Sequence, residues 1–345
     1  MRDICAVWLT TVLKQNARQL KTVTDKVSPE EAYHSTVGEL MEKGISESVA
    51  NKLSDKSLDL AQKIIKRCEE ENITVISADS PLYPKALFSL ADPPYVIYLK
   101  GEASLLSSMR LSALVGSRRM SVRGKEATER IARALISKGY TIISGLADGV
   151  DSVGAVTSID EGKPAIAVLG VDIDKFYPVG NEYLTCKVAK SGAVISEYPP
   201  YCNARFFALR NRIISALSDI VVVTEAPVHS GALITARHAL KSGKKVYTLA
   251  LEGDNFEGSR ALEKEGAIPI TPDFTLEKTM KKEENKPLGL DGTRLYIYER
   301  LREKPESEDT LVDGAHPIVE VLTALTELEL DGIIKCLPGG KYTLK

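Results

Sequence analysis

The sequence predicts an α/β protein. A Rossmann-like doubly wound, mostly parallel sheet follows an N-terminal helical domain and precedes a C-terminal winged-helix-like one. Three observations carry this prediction. From Leu111 onward short apolar, β-branched runs recur at 113–115, 140–143, 165–169, 193–195, 220–223 and 246–249. Amphipathic stretches fit between most of them, at 122–138, 150–160, 182–190, 206–217 and 232–241. The flanks break this alternation, being helical before it and helix plus hairpin after it. Strands joined by right-handed helical crossovers give a parallel sheet covered on both faces.

Residues 1–72 are rich in Leu, Ala, Lys and Glu and show helical periodicity, clearest at 57–72, where Leu58, Ala61, Ile64, Ile65 and Cys68 share one side. Lys43-Gly44-Ile45 joins two helices. The segment reads as a helical domain of the SAM or helix–hairpin–helix kind that caps the main domain. Its several glutamates argue against a basic nucleic-acid surface there.

The main domain is expected over 73–280. Pro81, Pro84, Pro93 and Pro94 exclude continuous helix at its entry. In the 206–217 helix, Phe206, Leu209, Ile213 and Leu217 recur at helical spacing and predict a core stripe. Phe207 and Asn211 then lie one turn apart on another face, with Arg210 and Arg212 beside them. The all-apolar 220–223 run suits a central strand buried on both sides.

A charged linker is expected at 281–289, carrying KKEENKP. In the last domain, 290–345, helices at 293–303 and 317–330 precede strands at 333–335 and 342–344 around Pro338-Gly339-Gly340. Val319, Leu322, Leu325 and Leu328 are spaced as the core stripe of the second helix. The nearby acids Glu306, Glu308, Asp309 and Asp313 favour a protein partner or regulatory role over DNA contact.

Composition limits function. A net charge of −2 over 345 residues gives no global basic field, so nucleic-acid binding would need a local patch. The five cysteines are scattered without a CxxC pair, which predicts a reducing compartment and no disulfide framework. The four histidines lack metal-ligand spacing, and no apolar run reaches membrane-spanning length. We therefore expect a cytoplasmic protein with no metal, no cofactor and no membrane insertion.

The chemistry-bearing residues gather at strand ends. After the strand at 113–115 come Gly116, Ser117 and Arg118 at a helix entry, suited to backbone and side-chain contacts with phosphate. After 140–143 come Ser144 and Gly145, suited to a second phosphate. Neither GxGxxG nor GxxxxGK[ST] occurs, which speaks against dinucleotide and Walker-type sites. Phe207, Arg210, Asn211 and Arg212 combine a stacking face with cations. Buried arginines are usually paired, however, so either arginine could instead bridge to Glu225 or Glu197. Glu225 and the Ser230-Gly231 turn with Thr235 complete the constellation. No GxSxG elbow is present, and no catalytic residue is assigned; Glu225 at a strand end keeps a nucleotide-processing hydrolase, or a nucleotide-sensing module, as the alternative.

VGSRRMSVRG, TIISGLADGVD, AVLGVDIDKFYP, ISEYPP, FALRNRIISALSDIVVVTEA and SGALITARHAL, in this order, resemble the DNA-processing protein A (DprA, also called Smf) family. The likeness extends over essentially the whole chain. It implies a non-enzymatic protein that binds single-stranded DNA, typically as a homodimer. Such a protein shelters incoming DNA in natural transformation and helps load a RecA-type recombinase. The resemblance places phosphate on Gly116, Ser117 and Arg118, and stacking on Phe207. Arg210, Asn211 and Arg212 would shape the pocket, with Ser144, Gly145, Glu225, Ser230, Gly231 and Thr235 completing it. The chain departs from the family pattern at Asp148, where arginine is usual, and at Ala155, where histidine is usual. Leu249–Gly253 replaces a Pro-Gly turn, and Arg260 stands for a later asparagine.

Overall fold

A computed structural model describes residues 2–108, 110–272, 292–331, 333–337 and 340–344. They form two units, divided at 276/277.

The larger unit begins with six helices: α1 Arg2–Val12, α2 Ala17–Thr24, α3 Pro29–His34, α4 Val37–Glu42, α5 Glu47–Lys52 and α6 Asp59–Glu70. Side-chain oxygens start several of them. Asn16 and Ser28 accept from backbone amides three residues on, and Thr36 with Glu39 forms a reciprocal capping box. α6 buries Ala61, Ile64 and Cys68, the side expected from its spacing. Trp8 is fully buried, donates its indole N–H to the Asp55 carbonyl at 2.8 Å and meets Tyr33 edge-on at 5.1 Å.

Nine strands follow: β1 Thr74–Ser77, β2 Val96–Gly101, β3 Arg110–Val115, β4 Tyr140–Ser144, β5 Ala165–Leu169, β6 Ala193–Ser196, β7 Ile220–Val223, β8 Lys245–Leu249 and β9 Ile268–Ile270. They form one sheet in the order β1-β2-β6-β5-β4-β3-β7-β8-β9. The strands from β6 to β9 pair in parallel; β1 and β2 add an antiparallel edge. β9 was not foreseen: three residues, one of them Pro269, carry too little periodicity to read. The helices are α7 Leu105–Ser108, α8 Val122–Ser137, α9 Val150–Asp160, α10 Glu182–Ser191, α11 Phe207–Leu217, α12 Ala232–Lys241 and α13 Glu257–Lys264.

Alternation along single strands divides the interior. Ile97 and Leu99 of β2 join the core beneath α11 and α12. Val96 and Tyr98 face the other way, into a core shared with α1 to α6, α9 and α10. The N-terminal helices and the sheet thus meet in one continuous cluster that includes Trp8, Leu20, Leu40, Tyr98 and Val194.

The crossovers run β3 to β4 to β5 to β6 in one direction, then return to place β7 on the opposite side of β3. This reversal opens a crevice beyond the carboxyl ends of β3 and β7, where ligands bind in open α/β sheets.

α11 corrects one expectation. Phe206 and Leu209 are 51% and 46% exposed, whereas every residue from Arg210 to Leu217 is buried. The helix packs against α12, β3, β5 and the 85–89 turn, so its last two turns are enclosed on all sides and hold charge as well as carbon. Periodicity alone cannot show that enclosure.

The smaller unit holds α14 Gly292–Glu303, β10 Glu306–Ser307, α15 Glu308–Leu311, α16 Ile318–Leu330, β11 Ile334–Leu337 and β12 Lys341–Leu344. Its antiparallel sheet has the order β10-β12-β11, the winged arrangement expected plus one two-residue strand. Its core holds Ile297, Leu301, Val321, Ala324, Leu325, Leu328 and Ile334. Of the predicted α16 stripe, Leu325 and Leu328 are buried, but Val319 is 71% and Leu322 41% exposed. The phase was misread because Val321 and Ala324 supply the inner face. The expected linker at 281–289 and the turn residues Pro338 and Gly339 lie outside the described residues.

The shared core leads to a prediction. Trp8 is the one tryptophan of the chain, so its fluorescence reports on the N-terminal helices. Urea unfolding followed by Trp8 emission and by slow amide exchange in β3 to β5 should give one coincident transition. Trp8→Phe should lower the stability of both together. A separate, earlier Trp8 transition would show that the helices are not integral to the sheet's stability.

Candidate functional site

At the crevice the loops after β3, β4 and β7 approach within contact distance. Ser117 donates its amide to the Glu225 carbonyl at 2.6 Å and accepts on its own carbonyl from Val150 at 3.1 Å. Gly116 is required by this closeness: a Cβ there would lie 2.6 Å from Val150 and 2.7 Å from the Glu225 carbonyl. Gly149 combines a φ of +82° with a would-be Cβ 2.1 Å from the Ser117 carbonyl, so no other residue fits without rearrangement. Between these loops and α11 and α12 lies an open cleft of about 650 Å³.

Arg210 forms the cleft floor. It is 4% exposed, and its guanidinium donates to the Gly145 carbonyl at 2.9 Å, to the Val168 carbonyl and to Asn211 Oδ1 at 3.1 Å. A Cβ on Gly145 would stand 2.2 Å from this guanidinium, so Gly145 admits the arginine rather than a phosphate. Asp151 faces the same floor, with a carboxylate oxygen accepting from the Gly145 amide at 2.9 Å. Burial pushes its carboxyl up to about 6, an effect that the field of Arg210 and the amides of Gly145 and Ala147 only partly offset. Burial likewise lowers Arg210 to about 10, against the opposing pull of Asp151.

Nine of the thirteen predicted residues line this cleft: Gly116, Ser117, Arg118, Phe207, Arg210, Asn211, Ser230, Gly231 and Thr235. Asn211 donates to the Gly231 carbonyl at 3.1 Å, tying α11 to the turn before α12. Arg118 is exposed with its guanidinium 5.6 Å from the Phe207 ring centre, and Phe207 packs on Tyr177 at 4.3 Å. Among the described residues no carboxylate bridges to Arg118 or to its exposed neighbour Arg119.

The other four do not line it. Arg212 is 2% exposed and forms a two-pronged pair with Glu197 at 2.8 and 3.0 Å, with Asp92 at 3.2 Å on its third nitrogen. Helix positions two apart point about 200° apart, so Arg210 meets the cleft while Arg212 meets the opposite wall. Glu225 is fully buried, its carboxylate accepting from the Ser121 amide at 3.0 Å and the Ser121 hydroxyl at 2.7 Å. This carboxylate occupies the positive N-terminus of α8, the place a bound phosphate would otherwise take. Ser144 is buried, with its hydroxyl on the Asp151 carbonyl at 3.4 Å. Gly145 serves as the passage for Arg210 described above.

Sequence reasoning missed Arg119, Asp151, His229 and Asn255, which also line the cleft. Arg119 follows Arg118 and Asp151 ends GLADGVD, so both were within reach; nothing local marked Asn255. Of the departures, Asp148 is exposed and Ala155 is 2% exposed within the core, and neither lines the cleft. Arg260 donates to the Leu251 and Gly253 carbonyls at 2.6 and 3.0 Å, fastening the loop that replaces the Pro-Gly turn.

Comparison with known proteins points one way. The family described as DNA recombination-mediator protein A matches residues 74–280, and the DprA winged helix domain matches 281–340. The chain is 36% identical to protein Smf of Escherichia coli over 80% of its own length and 79% of that protein's. The solved structure of DNA processing protein A from Streptococcus pneumoniae superposes with a TM-score of 0.69 at 25% identity, covering 80% of this chain and 97% of that one. DNA processing protein A from Helicobacter pylori, whose structure addresses its single-stranded DNA binding mode, gives a TM-score of 0.53 at 29% identity. That match covers 61% of this chain and 95% of that one.

The two arginines of α11 should separate by experiment. Arg212→Ala leaves Glu197 buried without its partner and should cost about 3–5 kcal/mol in urea unfolding. Replacing Glu197 as well, by Gln, should recover part of that loss. A loss below about 1 kcal/mol, the range of exposed pairs, would contradict the burial of the pair.

Proposed function

Since this chain belongs to the DNA recombination-mediator protein A family, we propose that its cleft binds single-stranded DNA. The bound strand is sheltered during natural transformation and passed to a RecA-type recombinase. The observation that carries this reading is the cleft's lip: exposed Arg118 beside the Phe207 ring and exposed Arg119 next to it in the chain, above a floor whose arginine, Arg210, is already engaged. Phosphates meet the exposed cations and bases meet the aromatic face, so binding is tolerant of sequence and weakened by salt. Arg210 and Asn211 hold the floor in shape, while Ser230, Gly231 and Thr235 form the wall facing Phe207. Arg212, Glu225, Ser144 and Gly145 act from behind, as positioning residues.

We assign binding rather than turnover. The acid considered for a hydrolase, Glu225, is turned away into the α8 N-terminus, and Asp151 is bonded to backbone amides. The protein acts as a homodimer in this reading. The winged unit meets a protein partner: α16 carries Glu320, Glu327 and Glu329 without a basic residue, and exposes Val319 and Leu330. The neighbouring Arg294 is taken up by Glu327 at 3.6 Å and by Asp331, so this face offers a phosphate backbone little to bind.

Titration with single-stranded oligonucleotides of increasing length, with duplex as control and at two salt concentrations, tests the reading. Affinity should favour single strands, rise with length and fall with salt. Arg118→Ala should weaken it and lower the salt slope by about 0.7, the loss of one phosphate contact, while unfolding stability stays within about 0.5 kcal/mol. Equal affinity for a mononucleotide and a long strand would overturn the proposal.

Asp151 adds a pH dependence. Its raised carboxyl is ionised above about 6 and protonated below. The negative charge that opposes phosphate is therefore present at neutral pH and removed on acidification. Single-strand affinity should tighten as pH falls through that value, and Asp151→Asn should flatten the response; fluorescence anisotropy across the range measures both.

A further inference from the structure

Next to Phe207 the cleft wall continues into a strip that the cleft does not use. The segment between β6 and α11 is held by its backbone. The Tyr198 carbonyl accepts from Ile173 at 3.0 Å, and the Phe206 amide donates to Gly170 at 2.8 Å. The Asp172 carboxylate takes the amides of Asn203 and Ala204, each at 2.8 Å. Within this fixed segment Tyr201 and Asn203 have φ of 70° and 56°. Left-handed backbone is uncommon for an aromatic residue, and such outliers gather at functional sites.

The side chains there do not serve the core. Tyr201 is 45% and Phe206 51% exposed, the latter backed by the buried Tyr198 ring at 5.2 Å. From α6, Lys63 places its ammonium 4.8 Å over the Tyr201 ring, and Arg205 is exposed between the two aromatics in the chain. Of the acids of this wall, Asp172 holds amides, Glu197 pairs with Arg212, and Asp174, its side chain 5% exposed, lies 3.7 Å from the Arg67 guanidinium. Exposed aromatic faces beside cations that no carboxylate bridges among the described residues suit one kind of occupant, a chain of bases on an anionic backbone.

We propose that Tyr201, Phe206, Lys63 and Arg205 form a second subsite for single-stranded DNA, carrying nucleotides that leave the cleft past Phe207. The proposal rests on the reading of the cleft given above and extends its footprint onto the N-terminal helices. Tyr201 and Phe206 stack bases; Lys63 and Arg205 meet the phosphates between them.

The test compares oligothymidylates of roughly four and roughly twenty nucleotides, the span of one to several base-stacking sites. It uses the full chain and the variants Lys63→Gln and Tyr201→Ala. For the long strand Tyr201→Ala should weaken binding by roughly ten-fold, and Lys63→Gln should lower the salt slope by about 0.7. For the short strand both variants should bind as the parent does. Lys63→Gln alters only an exposed side chain, so it remains informative should Tyr201→Ala unfold. Long-strand affinity and salt slope unchanged in Lys63→Gln would overturn the second subsite while leaving the cleft in place. A parent protein that binds neither strand would instead overturn the cleft reading itself.

Discussion

The buried guanidinium of Arg210 is the constraint on which the rest of the site depends. An ion removed from water costs several kcal/mol unless its hydrogen bonds are replaced. Here the Gly145 and Val168 carbonyls at the ends of β4 and β5 replace them, with Asn211 and the field of Asp151 adding to the balance. This exchange dictates residue types at a distance. Gly145 must lack a side chain because the guanidinium occupies that space, and Asp151 lends a field that favours the buried cation although burial resists its own charge. Asn211 extends the bracing to the turn before α12. The cleft is rigid because its floor is a set of satisfied buried polar groups.

A chain with a net charge of −2 gathers a basic surface only locally, and the structure shows how. Most acids near the crevice are withdrawn from it. Glu225 neutralises a helix terminus, Glu197 and Asp92 pair with Arg212, and Asp172 holds two amides. Arg118 and Arg119 remain at the lip, with Lys63 and Arg205 along the strip beyond. Two acids are not withdrawn: Asp151 leaves a titratable negative charge on the floor, and Asp148 is exposed on the loop before α9. The N-terminal helices belong to this arrangement, because their shared core with the sheet fixes where Lys63 stands.

Much was legible in the sequence. Continuous apolar, β-branched runs marked the central strands and a period of 3.6 residues their helices, since a parallel strand is buried on both faces and a helix along one stripe. The glycines at strand ends and the order of six motifs located the cleft and nine of its lining residues. What failed was the phase of apolar stripes, in α16 because Val321 and Ala324 supply the inner face, and in α11 because the helix is enclosed on more than one side. In α11 the apolar spacing pointed to Phe206 and Leu209, which face solvent, while the buried turns carry two arginines and an asparagine.

The division between the arginines belongs to the tertiary structure alone. In the sequence Arg118, Arg210 and Arg212 are equivalent cations near strand ends. In the fold one is exposed, one supports the floor and one closes an ion pair on the far wall. The partner that fixes Arg212 on its open side, Asp92, lies 120 residues away, and the serine that engages Glu225 lies 104 away. A charge in sequence has a sign but no surroundings. Local spacing determined the strands, the helices and the place of the cleft, and only the packing of distant segments decided which charges were left to meet a ligand.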